Sequence, residues 1–147
     1  KPVPDGYRTV TPYLCARDAN KLIDFLKGAF GAEEIMRHAD PNGRLMHAEV
    51  RIGDSILMLG EASEKFQPTT SCLYLYVADT DAFHKRAVSA GGRSVMEPAD
   101  QFYGDRSSCV MDAWGNAWCI ATHIEDVEPK EPQRRSEKWA KEHAGQC

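Results

Sequence analysis

No apolar run in these 147 residues approaches the roughly 20 that a membrane-spanning helix needs, which excludes a helical span within this stretch. No CxxC pair occurs, and the cysteines (Cys15, Cys72, Cys109, Cys119 and Cys147) are odd in number. Both facts argue against a disulfide framework or a zinc knuckle, and they favour a reducing cytoplasm. Charge of one sign is also scarce. The net charge is −4, which gives no electrostatic reason to expect nucleic acid or an anionic membrane as partner. The chain begins at Lys1 without Met, so a trimmed N-terminus and a lost targeting segment both stay open. What is present, 42% hydrophobic and 27% charged residues, is the composition of a globular domain with a core of its own. The first four cysteines are expected as buried apolar filler in strands, and Cys147 in a mobile tail.

Along the chain, "RTVTPYLCAR" has strand composition, with Pro12 marking an edge or a beginning. Asp18 is expected to cap the helix "ANKLIDFLKGAF", whose Leu22, Ile23, Leu26, Ala29 and Phe30 recur at helical spacing, with Gly31 as its stop. Three strands follow: "AEEIMRHAD", then "RLMHAEVRI" after the "DPNG" turn, then "SILML" after Gly53-Asp54. Beyond "EASEKFQPTT" the same order returns. "SCLYLYVA" leads to a helix capped by Asp79 or Thr80, with Phe83, Ala87 and Val88 inward, and to the strands "RSVMEP", "RSSCVMD" and "AWCIATH".

Asp18 and Asp79 stand 61 residues apart, as do Gly31 and Gly92; Arg44 and Arg106, like Gly53 and Gly115, stand 62 apart. Matching punctuation in matching order predicts a tandem βαβββ repeat in an α+β fold. The expected organisation is an arm over residues 1–7, a first module over 8–62, a linker over 63–70, a second module over 71–127, and a charged tail over 128–147 with a short helix from about Arg134 to Glu142. A unit of roughly 60 residues buries little surface alone, so two curved mixed sheets are expected to face a common cleft, in one chain or across a dimer.

The stretches "YLCARDANKLIDFLKGAFGAE", "HAEVRIGDSILML", "YLYVADTDAFHKRAVSAGG" and "FYGDRSSCVMDAWGNAWCIATHIEDV" resemble the vicinal oxygen chelate superfamily, the group of glyoxalase I, bleomycin resistance proteins and extradiol dioxygenases. Within it they look most like the glyoxalase-like or PhnB-like branch. The resemblance implies a homodimer, a small-molecule ligand, and a fold that hosts both enzymes and binders. In metal-using members, His, Glu or Gln on the first and last strands of each module hold a divalent ion. Carried over, those positions fall on Thr11, Cys72, Leu57 or Met58, and Cys119. Such a donor set suits a hard ion poorly, so the usual metal centre is expected to be absent and no cofactor is expected.

Substitutes exist. His47 and Glu49 share the strand face opposite Ala48, Val50 and Ile52, where they form either a metal or general-base site or a solvated outer face. Glu61 and His123 occupy matching strand ends. Tyr13, Tyr74 and Tyr76 share a face with Thr11 and Cys72, as a ligand-stacking wall or as packing for a dimer or sheet. Arg106 in "FYGDR" is a candidate for a ligand carboxylate or phosphate, or for a neighbouring carboxylate. Cys72 and Cys119 are a thiol pair or inert thiols. Two functions follow. One is a metal-free small-molecule binder with a Tyr-lined cleft for an aromatic or anionic ligand. The other is a divalent-metal lyase, isomerase or dioxygenase with unusual ligands.

Overall fold

Each half of the chain repeats one order of elements, and the computed structural model describes residues 1–144 of it. The first half runs β1 (Tyr13–Ala16), α1 (Ala19–Phe30), β2 (Glu33–Ala39), β3 (Leu45–Ile52) and β4 (Ser55–Glu61). The second runs β5 (Cys72–Tyr76), α2 (Thr80–Ser89), β6 (Arg93–Asp100), β7 (Asp105–Met111) and β8 (Ala117–His123), before α3 (Glu131–Glu142). The two sheets have orders β1-β4-β3-β2 and β5-β8-β7-β6, with β1 parallel to β4, β5 parallel to β8, and the other pairs antiparallel. No described helix is long and apolar enough to cross a membrane.

Helix α1 forms where expected because Leu22, Ile23, Leu26, Ala29 and Phe30 make one buried stripe, joined by Phe25. It stops at Gly31, whose φ of 67° only glycine adopts cheaply; the Gly31 and Ala32 N–H groups return to the Lys27 and Leu26 carbonyls. Its start corrects the sequence reading. Asp18 lies at φ 56° and its side chain caps nothing. Glu61, at the end of β4, accepts from the N–H groups of Asp18 (2.9 Å) and Ala19 (3.0 Å) instead. An anionic carboxylate there also suits the positive end of the helix dipole. In α2 Asp79 does cap, accepting from Ala82 N–H, and Thr122 Oγ1 accepts from Thr80 N–H. So Glu61 matches Thr122 in place and role, not His123. Ala87 is buried and Phe83 half-buried as expected, whereas Val88 is exposed. The side chain buried in its stead is His84, held between Ser108 (2.8 Å) and Ser94 (2.9 Å).

Strand register refines the repeat. Tyr13 pairs with Met58 and Tyr74 with Cys119, an offset of 61 on the first and last strands. Glu49 pairs with Met58 and Cys109 with Cys119, so β3 and β7 correspond at an offset of 60. The spacing of 62 for Arg44 and Arg106 is therefore no register match, and the longer β7–β8 turn then carries the offset from 60 to 61 on the last strands. That turn is built on Asp112, which is buried and accepts from the backbone N–H of Trp114 and Asn116, Asn116 Nδ2 and Trp118 Nε1 at 2.8 to 2.9 Å.

The modules join through their helical sides. Gly28 of α1 lies close to Ala90 just past α2, Phe30 packs on Trp118 with ring centroids 5.2 Å apart, and Trp114 donates to the Arg17 carbonyl. One continuous core runs from Leu14 to Ile120. The sheet faces opposite the helices point away from it.

Candidate functional site

Alternation along a strand sends every second residue of β1, β3, β5, β7 and β8 to those outer faces. Polar clusters gather on both. In the first module, Glu49 is buried, and its carboxylate accepts from Tyr7 of the N-terminal arm and from His47 Nε2 (2.8 Å). A carboxylate only accepts, so His47 carries its proton on Nε2 and offers Nδ1 to the Tyr13 phenol, 3.2 Å away. Gly60 makes room for this, because a Cβ there would stand 2.7 Å from the Tyr13 hydroxyl. Burial, with the nearby Cys15, raises the Tyr13 phenol above its ordinary range.

The second module assembles a different cluster on the same face. Asp105 is buried at the start of β7 and accepts from Tyr74 (2.8 Å) and Tyr76 (3.0 Å), both on β5. His123, paired with Asp105 across β7 and β8, sets Nδ1 3.1 Å from the other carboxylate oxygen and Nε2 2.7 Å from Asp126. Both ring nitrogens face carboxylates, so the charged imidazolium is favoured: hydrogen bonds to Asp126 and then Asp105 raise its pKa above 6.5. Burial works to raise the Asp105 carboxyl, but the bonds from His123, Tyr74 and Tyr76 prevail and hold it below its ordinary value. Burial and the Asp105 bond raise the Tyr74 phenol; for Tyr76 the Asp105 bond is the larger cause.

Between the modules runs a groove of about 670 Å³, a size suited to a small ligand. Its walls are the arm around Tyr7 and Thr11, the β3–β4 turn, and β5 with Tyr74 and Tyr76; Phe30, Phe83 and Trp118 are among its apolar lining. The lining is thus mostly apolar with phenols at hand.

The sequence-derived residues separate into groups on this frame. Tyr74, Tyr76 and Thr11 line the groove, although Thr11 precedes β1 and its hydroxyl turns to the Arg8 carbonyl. Tyr13, His47 and Glu49 form the first cluster. Arg106 takes neighbouring carboxylates, the second of the two partners the sequence offered, and stands away from the groove. It projects from the helix side of β7, bidentate to Asp81 of α2 (2.9 and 3.1 Å) and bonded to Asp100 (3.0 Å), away from both tyrosines. Those two carboxylates raise its pKa further above the usual arginine value. Cys72 and Cys119 do share the outer face, with Cys109 as a third thiol 3.7 Å from Cys119. Only Cys109 of these is buried, while Cys72 is exposed and Cys15 and Cys119 lie between, contrary to the expectation of buried filler. Cys147 lies outside the described residues. Sequence reasoning missed Tyr7 and Asp105. Neither carries a local signal, because their side-chain partners lie 18 to 42 residues away in the chain.

Register also fixes which side chains stand at the positions where a metal-using relative would place its ligands. Met58, not the buried Leu57, shares the outer face with Glu49, and the opposed positions are Tyr13, Tyr74 and Cys119. A thioether, a thiol and two raised phenols do not fit a hard divalent ion. Among the described residues no three His, Cys, Asp or Glu side chains form a metal-binding group.

Residues 8–120 match the profile of the Glyoxalase/Bleomycin resistance protein/Dioxygenase superfamily. An uncharacterised protein of Mycobacterium bovis is 33% identical over 135 residues, covering 84% of this chain and 89% of that protein. The crystal structure of TioX from Micromonospora sp. ML1 superposes with a TM-score of 0.69 at 24% identity, over 80% of this chain and 99% of that one. The fosfomycin resistance protein FosX from Mesorhizobium loti does so with a TM-score of 0.57 at 17% identity, over 78% and 91%. At those identities the two structures share the fold.

Proposed function

The chain belongs to the Glyoxalase/Bleomycin resistance protein/Dioxygenase superfamily, and from that premise we propose that it is a metal-free small-molecule binding protein. The observation that carries this reading is the groove of about 670 Å³, apolar in lining and walled by Tyr7, Tyr74 and Tyr76. Aromatic walls with polar tips favour a flat, largely apolar ligand that also takes a directed hydrogen bond. No free cation among the predicted residues supports the anionic ligand, since Arg106 is paired on the far side of its sheet. The protein is expected to act as a homodimer, because Tyr13, Tyr74 and Tyr76 stay exposed on the outer faces of a single chain. Free thiols throughout the described strands are in keeping with a reducing cytoplasm.

The test is a thermal-shift screen of planar aromatic compounds followed by calorimetry, since a ligand of the folded state must raise its melting temperature. Tyr74→Ala or Tyr76→Ala should weaken a hit about five- to tenfold. No stabilising compound, or hits indifferent to both substitutions, would count against the reading. The rival is a divalent-metal enzyme held through His47 and Glu49. Those side chains are bonded to each other and to Tyr13 and Tyr7, so an ion would have to displace all three bonds. Stoichiometric metal in protein purified without chelator would establish the rival; less than about a tenth of an equivalent would retire it.

A further inference from the structure

Five side chains that line the groove carry a hydroxyl, and each gives its proton to an acceptor within the protein. Tyr7 donates to Glu49, Tyr74 (2.8 Å) and Tyr76 (3.0 Å) to Asp105, Ser55 to Asp54 (3.1 Å), and Thr11 to the Arg8 carbonyl (3.3 Å). The direction of these bonds is forced, because ionised carboxylates and carbonyls have no proton to give back. The indole N–H of Trp118, which also lines the groove, goes to Asp112 (2.8 Å). The hydroxyls therefore present only lone pairs to the groove. A phenol that donates to an anion is also polarised into a better acceptor. Burial for Tyr74, and the Asp105 bond for Tyr76, raise both phenols above their ordinary pKa, so neither sheds its proton. Among the lining side chains only Arg8 keeps N–H groups to spare, and it is exposed, where water screens what it offers.

Ligand groups meet such a wall with unequal success. A carbonyl, ether or carboxylate finds no hydroxyl proton there and gives up its water for nothing. A ligand hydroxyl can donate, but it brings lone pairs of its own that meet the same lack. A ring N–H or an aryl amine, whose nitrogen lone pair is drawn into the ring, brings protons and no further acceptor. We propose that the groove selects planar aromatic ligands bearing such an N–H edge, with the oxygens of Tyr74 and Tyr76 as its acceptors. Asp105 is the positioning residue: buried itself, it acts through the two phenols by holding their protons away from the ligand. This deepens the aromatic-ligand reading by fixing which partner gives the proton, and it rests on that reading for the seat of the ring.

The probes are indole and benzofuran, alike in size and planarity but differing in a ring N–H against a ring oxygen, each titrated calorimetrically into the full chain. Burying an unpaired N–H is unfavourable, so a groove that only stacked its ligand would prefer benzofuran. Indole is expected to bind about tenfold tighter instead. Tyr74→Phe and Tyr76→Phe keep the ring and remove one oxygen. Each should cut that preference about threefold and leave the affinity for benzofuran in place. Asp105→Ala frees both phenol protons to turn outward, so the preference should swing toward benzofuran, whereas a purely structural Asp105 would weaken both compounds alike. If a variant fails to fold, the wild-type ratio alone decides. Benzofuran binding as tightly as indole, or more so, overturns the inference. So does an indole preference that survives both phenylalanine variants, since it would then belong to a backbone carbonyl. Planar compounds that bind with the reverse preference leave the broader reading standing; planar compounds that do not bind at all remove both.

Discussion

The two modules share a topology but not an outer face. On the helix side Val50 answers Val110 and Ala48 answers Ser108, all fully buried. On the outer face, by the same register, Glu49 answers Cys109, His47 answers Ser107, and the Met58 position is Cys119. The first module draws its histidine and carboxylate from one strand, two residues apart; the second draws them from two strands. The first histidine meets one carboxylate and one phenol, whereas the second meets two carboxylates. Core packing tolerates little change in volume, so a duplicated fold is held alike where it is buried. The exposed face carries no such constraint, and chemistry diverges there.

The largest expected contrast lies in the turns. Asp112→Ala strips the partner from the buried Trp118 N–H and from Asn116, and should cost about 3 kcal/mol of unfolding free energy in urea titrations. Asp54→Ala in the exposed two-residue turn of the first module should stay within about 0.5 kcal/mol. Equal costs would break the contrast. The helix starts come next. Glu61→Ala removes both acceptors at α1, and about 1–2 kcal/mol is expected; Thr122→Ala should cost about 1 kcal/mol or less, because Asp79 still caps α2.

The pair His123 and Asp105 should give the second module a pH response of its own. A raised His123 pKa contributes stability that is fully present below pH 6.5 and fades as pH rises through the higher folded value. The lowered Asp105 pKa contributes stability present above about pH 3.8 and lost as pH falls through its folded value. His123→Gln should therefore flatten the decline of melting temperature above pH 6.5 and also lessen the fall at acid pH, where only Tyr74 and Tyr76 still hold the Asp105 carboxyl down. A wild-type curve already flat above pH 6.5 would refute the double-carboxylate account. The smallest effect belongs to Arg106. Its ion pairs are solvent-screened, so Arg106→Ala should leave the melting temperature almost unmoved and ligand affinity unchanged. A large loss of binding would return Arg106 to the site.

Much of this was legible in the residues. The helical stripe of α1, the Gly31 stop, the Asp79 cap and the β8 bounds all follow from local periodicity and turn chemistry. Strand parity correctly grouped His47 with Glu49, and Tyr74 with Tyr76 and Cys72. For Arg106 the residues left two partners open, a ligand anion or a neighbouring carboxylate, because Asp81 on α2 comes beside it only through the fold. Asp18 looked like a cap because aspartate usually is one, yet a left-handed backbone turned its side chain aside and let Glu61 in.

By itself, then, the chain determined its repeat, its elements and which residues share a strand face, since each depends on neighbours a few positions away. Tertiary structure alone decided that Tyr7 closes on Glu49, that Asp105 collects two phenols and an imidazole, and that two thiols oppose each other across β7 and β8. Those contacts join positions set by the accumulated lengths of the turns between them. One residue more or less in a turn moves every partner beyond it.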